Sequence, residues 1–287
     1  MRTLPCTLAL ALAASIAAQD VRIEVDPSRD VGKVNPFIFG NNQLGYDLAH
    51  GGRPENRMYA IHGAGLYFPK ERKLNPAMVK LAKDMGITID RWPGGCGTHL
   101  HDWKRTIGPV EKRPDWPFGL DEFMAWCDAI DADTIITISY FIGKPQDAAD
   151  MVEYLNAPAD GSNVGGGVDW AAKRAANGHA EPYGVRYFEF GNETWHGTHQ
   201  KIRSVSAADY AKRYDAYHRA IKAVDPTAQF GILTMNSSAR TKLDWTKEVL
   251  RTIKTRPDFA IEHTYRPSYR SNDGKPGAEI MFTALLA

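Results

Sequence analysis

The sequence predicts an α/β protein of the (β/α)₈ TIM-barrel class, present to roughly six of its eight β/α units. Three observations carry this. Short apolar, β-prone runs alternate with amphipathic stretches, which implies a parallel sheet. The Gly-rich turn of an open dinucleotide-binding sheet is missing after the first run. Polar and aromatic residues sit just past the ends of several runs at once: Arg91 to Cys96, Tyr140, Gly191-Asn192-Glu193 and His263-Thr264-Tyr265. The third observation decides between a closed barrel and a doubly wound sheet, because barrel enzymes assemble their sites from many strand ends.

In chain order, Met1–Ala18 reads as a secretory signal peptide, with one basic residue at Arg2, an apolar run from Leu8 to Ala14, and small residues at Ala17 and Ala18. That run falls short of the roughly 20 residues a spanning helix needs, and no later segment comes closer. The expectation is a soluble protein, secreted or periplasmic and not membrane-bound. Residues 19–287 contain no linker, repeat or low-complexity tract, and read as one catalytic barrel domain.

Candidate strands are Phe37–Phe39, Ile87–Arg91, Thr134–Tyr140, Val185–Phe190, Gln229–Thr234 and Phe259–Tyr265, short and mostly apolar as doubly covered strands should be. Helical periodicity fills the gaps. Asn75–Met85 puts Met78, Leu81, Ala82 and Met85 on one face and stops at Gly86, suited to a left-handed cap. Gly119–Ala132 and Ala207–Val224 behave likewise, the latter opened by Ser206 with Asp209 three residues on.

Lysine and arginine number 35 against 34 aspartate and glutamate, with the signs interspersed, so no long-range field would gather nucleic acid or anionic lipid. A neutral substrate fits. Cys6 would leave with the signal peptide, and sequence leaves a Cys96–Cys127 bridge open because it gives no distance between them.

The chemistry concentrates in Tyr187-Phe188-Glu189-Phe190-Gly191-Asn192-Glu193-Thr194-Trp195, an apolar strand delivering adjacent Asn and Glu side chains at its carboxyl end. Glycosidic cleavage needs a carboxylic acid to protonate the leaving oxygen, with a raised pKa that an apolar neighbour such as Trp195 would supply. Asn192 is placed to bond a sugar 2-hydroxyl.

Around that strand the chain resembles the retaining α-L-arabinofuranosidases of glycoside hydrolase family fifty-one over roughly residues 35–285. The matching blocks run from Arg91-Trp92-Pro93-Gly94-Gly95-Cys96 through His101-Asp102-Trp103, Ile107-Gly108-Pro109 and Lys112-Arg113-Pro114 to Phe118–Phe123. They continue at Asp147–Asp150, Val152–Asn156, Asn177-Gly178-His179 and Glu181-Pro182-Tyr183. The resemblance implies a barrel hydrolase with no cofactor and an arabinose-containing glycan as substrate. It makes Glu193 the acid/base and Asn192 a contact to the 2-hydroxyl, places Arg91 and Cys96 in the sugar site, and sets His263 and Tyr265 near the nucleophile. Trp103 is a candidate for stacking on a sugar at the cleft rim or for packing its loop.

Two departures from the family stand out. The family's nucleophile lies on a seventh barrel strand, beyond the sixth strand that precedes Ala287, so the chain reads as an incomplete product. Glu262 is a poor substitute, since strand alternation points it away from the face used by His263. In the first strand, Gly40-Asn41-Asn42-Gln43-Leu44 replaces a segment in which the family carries a sugar-binding glutamate, so an amide stands in for a carboxylate.

Three other readings stay open. A non-catalytic sugar-binding fragment would suit a chain without its nucleophile. A related clan member acting on β-xylosides or β-glucans would share Asn192-Glu193. A metal-dependent hydrolase would use His99, His101 and His263, but no carboxylate-rich ligand set accompanies them, and no metal site is expected.

Overall fold

A computed structural model describes residues 24, 26–30, 32–44, 65–195, 203–235 and 240–263, with side chains undescribed at 44 and 240–243. The chain divides into two units, residues 1–35 and 36–287. In the first, the Asp26 carboxylate accepts the backbone N–H and the hydroxyl of Ser28 at 3.0 and 2.6 Å, a local Asx turn. The Met1–Ala18 segment lies outside the described residues.

Among the described residues the second unit carries six parallel strands: β1 Gly40–Leu44, β2 Ile89–Gly94, β3 Asp133–Ile138, β4 Tyr187–Phe190, β5 Gln229–Thr234 and β6 Phe259–Glu262. They pair in sequence order without a reversal, curling as a half-barrel. A doubly wound sheet would reverse its order at a switch point, so the ladder order settles the architecture in favour of the barrel class.

Among the described residues six helices flank the strands: α1 Pro76–Met85, α2 Leu120–Ile130, α3 Pro145–Asn156, α4 Trp170–Ala176, α5 Ala207–Val224 and α6 Arg240–Thr252. The caps expected at Gly86 and Ser206 form, and Asn75 proves to be a cap rather than the first helical residue. The Asn75 side chain accepts from the Ala77 N–H, Gly86 takes a left-handed φ of 70°, and the Ser206 hydroxyl accepts from the Asp209 N–H.

The first strand differs from expectation. Phe37–Phe39 belongs to a 3₁₀ turn, Pro36–Phe39, and the strand is the polar segment after it. Gly40 lies opposite Ile89 so closely that a Cβ there would come within 3.0 Å of the Ile89 Cγ2. The Asn41 and Gln43 amides, which look unlike strand residues, both donate to Asp90 on β2, each at 3.3 Å. That partnership overrides low β-propensity.

Period-two alternation then divides the sheet. Trp92, Ile136, Ile138, Phe188, Phe190, Phe230 and Ile232 are all 4 % exposed or less and form the core beneath the helices. Hydroxyls thread that layer: Tyr210 donates to the Phe190 carbonyl at 2.9 Å and Tyr214 to that of Phe230 at 2.6 Å. Residues of opposite parity, Arg91, Thr137 and Glu189 among them, face inward.

Candidate active site

Because Phe188 and Phe190 turn outward on β4, Glu189 between them turns inward, and the chain must then reverse to present its next side chains. Gly191 makes the reversal at φ 79°. A Cβ there would meet Thr194 Cγ2 and Tyr140 Cβ at 3.1 Å. Its N–H donates to the Ile138 carbonyl at 2.8 Å, and Val205 N–H closes on the Thr194 carbonyl at 2.9 Å. Between these ties Glu193 sits at φ 41°, in the left-handed region that a non-glycine residue enters at a cost of about 1–3 kcal/mol. Strain held in this way is characteristic of residues placed for chemistry rather than for stability.

Glu193 Oε1 lies 2.9 Å from His263 Nδ1, and both side chains are partly exposed, at 22 % and 14 %. An imidazole nitrogen in that place donates to an ionised carboxylate or accepts from a protonated one, so the contact persists in both states an acid/base must visit. His263 follows β6, so two strand ends well separated in sequence meet here.

Asn192 is 2 % exposed. Its Oδ1 accepts from Arg91 Nη2 at 3.0 Å and its Nδ2 lies 3.6 Å from Cys96 Sγ. Burial, with the Glu193 charge next, pushes the Cys96 thiol up to about 11, against smaller opposing effects from Asn192 and Arg91. At neutral pH Cys96 is therefore a protonated S–H, a weak donor beside Glu193 rather than a nucleophile. Arg91 also donates through Nη1 to Asn42 Oδ1 at 2.9 Å. Asn42 is thus the β1 amide that enters the site, while Asn41 and Gln43 face Asp90.

Sequence reasoning passed over Glu189. It is fully buried, accepts from Arg91 Nε at 2.5 Å and from the Thr137 hydroxyl at 2.6 Å, and forms an ion pair with the Arg91 guanidinium. The available signal was a lone carboxylate between two phenylalanines on a buried strand. Lying beneath Arg91, Glu189 is poorly placed to attack an anomeric carbon, and Glu262 is exposed on the opposite parity from His263.

Other residues take different places. Trp103 is not at a rim: it is 5 % exposed, its indole N–H donates to the Asp147 carbonyl at 3.0 Å, and its ring packs on Tyr154 and Trp170. The loop-packing alternative is the one the geometry favours. Trp195 lies edge-on to Trp245. His101 is buried against Trp92 and Trp116, which drives its pKa down to about 3 and keeps it neutral, and His99 packs on Phe141. Cys96 and Cys127 are both free thiols, which closes the question of a bridge between them. Tyr265 lies outside the described residues.

The family model for an alpha-L-arabinofuranosidase 1 domain matches residues 81–273. A probable α-L-arabinofuranosidase C from Aspergillus niger is 29 % identical over 221 residues, 71 % of this chain and 40 % of the relative. Among solved structures, a family 51 α-L-arabinofuranosidase from Bifidobacterium longum superposes with a TM-score of 0.71 at 24 % identity, covering 88 % of this chain and 49 % of the other. A thermostable family 51 α-L-arabinofuranosidase from Thermotoga petrophila gives 0.65 at 27 % identity, covering 83 % and 48 %. The chain thus spans less than half the length of these relatives. With the half-barrel, the strand-end acid and the family match in agreement, the chain belongs to the α-L-arabinofuranosidase 1 domain family, among the arabinofuranosidases of glycoside hydrolase family fifty-one.

Proposed function

We propose that this chain supplies the acid/base half of a retaining glycoside hydrolase that releases terminal α-L-arabinofuranosyl residues from plant-type polysaccharides or oligosaccharides. The observation that carries it is Glu193, held strained at the end of β4 and hydrogen-bonded to His263. In this reading Glu193 protonates the leaving oxygen while a carboxylate beyond the six described strands attacks the anomeric carbon, about 5–5.5 Å away as retention requires. Glu193 then takes a proton from water to release the sugar with retained configuration. Asn192, Arg91 and Cys96 bind the sugar hydroxyls, Tyr265 joins them on the strength of the family resemblance, and Met1–Ala18 directs export.

Hydrolysis of an aryl α-L-arabinofuranoside tests the reading, comparing this chain with a version extended through a seventh and an eighth barrel strand. Activity in the extended form is expected. Its absence there would move the assignment to another glycan or to sugar binding alone. Glu193→Gln should abolish turnover of alkyl arabinofuranosides while sparing the first step on activated aryl ones, and equal loss on both would count against its role as acid. Fusion of residues 1–18 to a reporter tests export, which retention of the reporter in the cytoplasm would refute.

A further inference from the structure

One carboxylate at the centre of the half-barrel has a position that sugar contact does not explain. Glu189 is 0 % exposed, so it meets no substrate, and its Oε2 has no hydrogen-bond partner among the described residues. A buried charge of this kind costs several kcal/mol unless it is paired. Its pairing is confined to Oε1, which takes the Nε and Nη2 edge of Arg91 and the Thr137 hydroxyl together.

Arg91 is thereby pinned from below, and its other two nitrogens reach out to Asn42 Oδ1 and Asn192 Oδ1. Four successive strands meet around one ion pair: Asn42 lies opposite Arg91 in the β1–β2 ladder, and Thr137 opposite Glu189 in the β3–β4 ladder. The guanidinium fork is planar and rigid, so fixing its Nε edge fixes the direction of Nη2. With its carbonyl oxygen turned to Nη2, the Asn192 amide turns its NH₂ group the other way, toward Cys96 and beside Glu193.

We propose that Glu189 is a positioning residue: through Arg91 it orients the Asn192 amide so that its NH₂ group, rather than its oxygen, faces the site. This deepens the proposed hydrolase reading and rests on it for its kinetic consequences. A sugar hydroxyl bound there is required to act as acceptor, and a site presenting the amide oxygen would select the opposite polarity.

A mutant cycle tests the proposal in the extended enzyme. Glu189→Ala should lower kcat/KM on an aryl α-L-arabinofuranoside by about 100-fold, and Glu189→Gln, which keeps an oxygen for Arg91 and Thr137, by only about tenfold. In an Asn192→Ala background Glu189→Gln should cost clearly less than its tenfold effect alone, because the amide being oriented is already gone and only the sugar contact of Arg91 is left to disturb. Losses that multiply in full would overturn the proposal. Should Glu189→Gln fail to fold, Thr137→Val removes one donor from Glu189 without changing charge, and its effect should likewise shrink beside Asn192→Ala.

A second measurement does not depend on turnover. In protein labelled with ¹⁵N at asparagine, the side-chain amide signal of Asn192, identified by its loss in Asn192→Ala, should shift in Glu189→Gln and Thr137→Val. An unmoved signal would sink the positioning role even in an active enzyme. A shifted signal in an enzyme that turns over no arabinofuranoside would instead leave Glu189 in place and remove the substrate assignment.

Discussion

The two faces of the sheet are built on opposite principles. Outward, Phe188, Phe190, Phe230 and Ile232 are essentially inaccessible, and Phe190 and Phe230 pack on the aromatic rings of α5, with Tyr214 stacked on Phe230 at 4.8 Å. Inward, Glu189 on β4 meets Thr137 on β3 and Arg91 on β2, joined by hydrogen bonds and an ion pair instead of by apolar contact. One face excludes water to gain stability. The other holds charge and strain, which contribute little or negatively to stability but fix directions. The contrast teaches that a single residue step along β4 separates a position that makes the fold from one that arranges the chemistry.

The largest expected effect lies on the outer face. Phe190→Ala opens a cavity among Tyr210, Tyr214, Tyr217 and Phe230 and should cost about 3–5 kcal/mol in denaturant unfolding. A loss below about 1 kcal/mol would break the comparison.

Asp90 is the exception on the outer parity, a buried carboxylate receiving the Trp126 indole N–H at 2.9 Å and both β1 amides. Burial is the largest influence on it and holds its pKa above the ordinary carboxylate range. Its folded pKa exceeds the unfolded value of about 4, so the protein should lose stability as pH rises from there through the raised value and then level off. Asp90→Asn should flatten that part of the profile. It should also cost about 1–3 kcal/mol at low pH, by setting an amide N–H against donors. An unchanged slope would refute the burial argument.

Trp103→Phe sharpens the boundary between packing and binding. It should cost about 1–3 kcal/mol through loss of the bond to Asp147 and of buried ring area, with KM for small arabinofuranosides within about twofold. A large rise in KM with unchanged stability would return Trp103 to the sugar site.

The smallest effect has the opposite sign. Glu193→Gly relieves the left-handed φ and should raise stability by about 1 kcal/mol or less while eliminating acid catalysis. A destabilised variant would show that Glu193 is not strained where it stands.

Much of this was legible in the chain. β5 and α5 fall at the expected residues, Asn75, Gly86 and Ser206 cap as their residue types require, and Asn192-Glu193 ends a strand as the apolar run before it implies. These are local properties, set by periodicity and by which side chains satisfy helix termini. β1 was illegible because its stability comes from Asp90, 47 to 49 residues away in the chain. Trp103 could not be assigned by type, since an indole packs a core and a sugar equally well, and only its neighbours Tyr154 and Trp170 decide.

The sequence by itself determined the strand-helix alternation, the inward turn of Glu189 and the delivery of Glu193 past a strand end, because these follow from period two and from the reversal at Gly191. Tertiary structure alone decided that Arg91 joins Asn42, Asn192 and Glu189, and that His263 meets Glu193 across 70 residues. The curl of the sheet brings strand ends together that no local rule relates, and a planar guanidinium can bond several partners only where the backbone has already placed them within its reach.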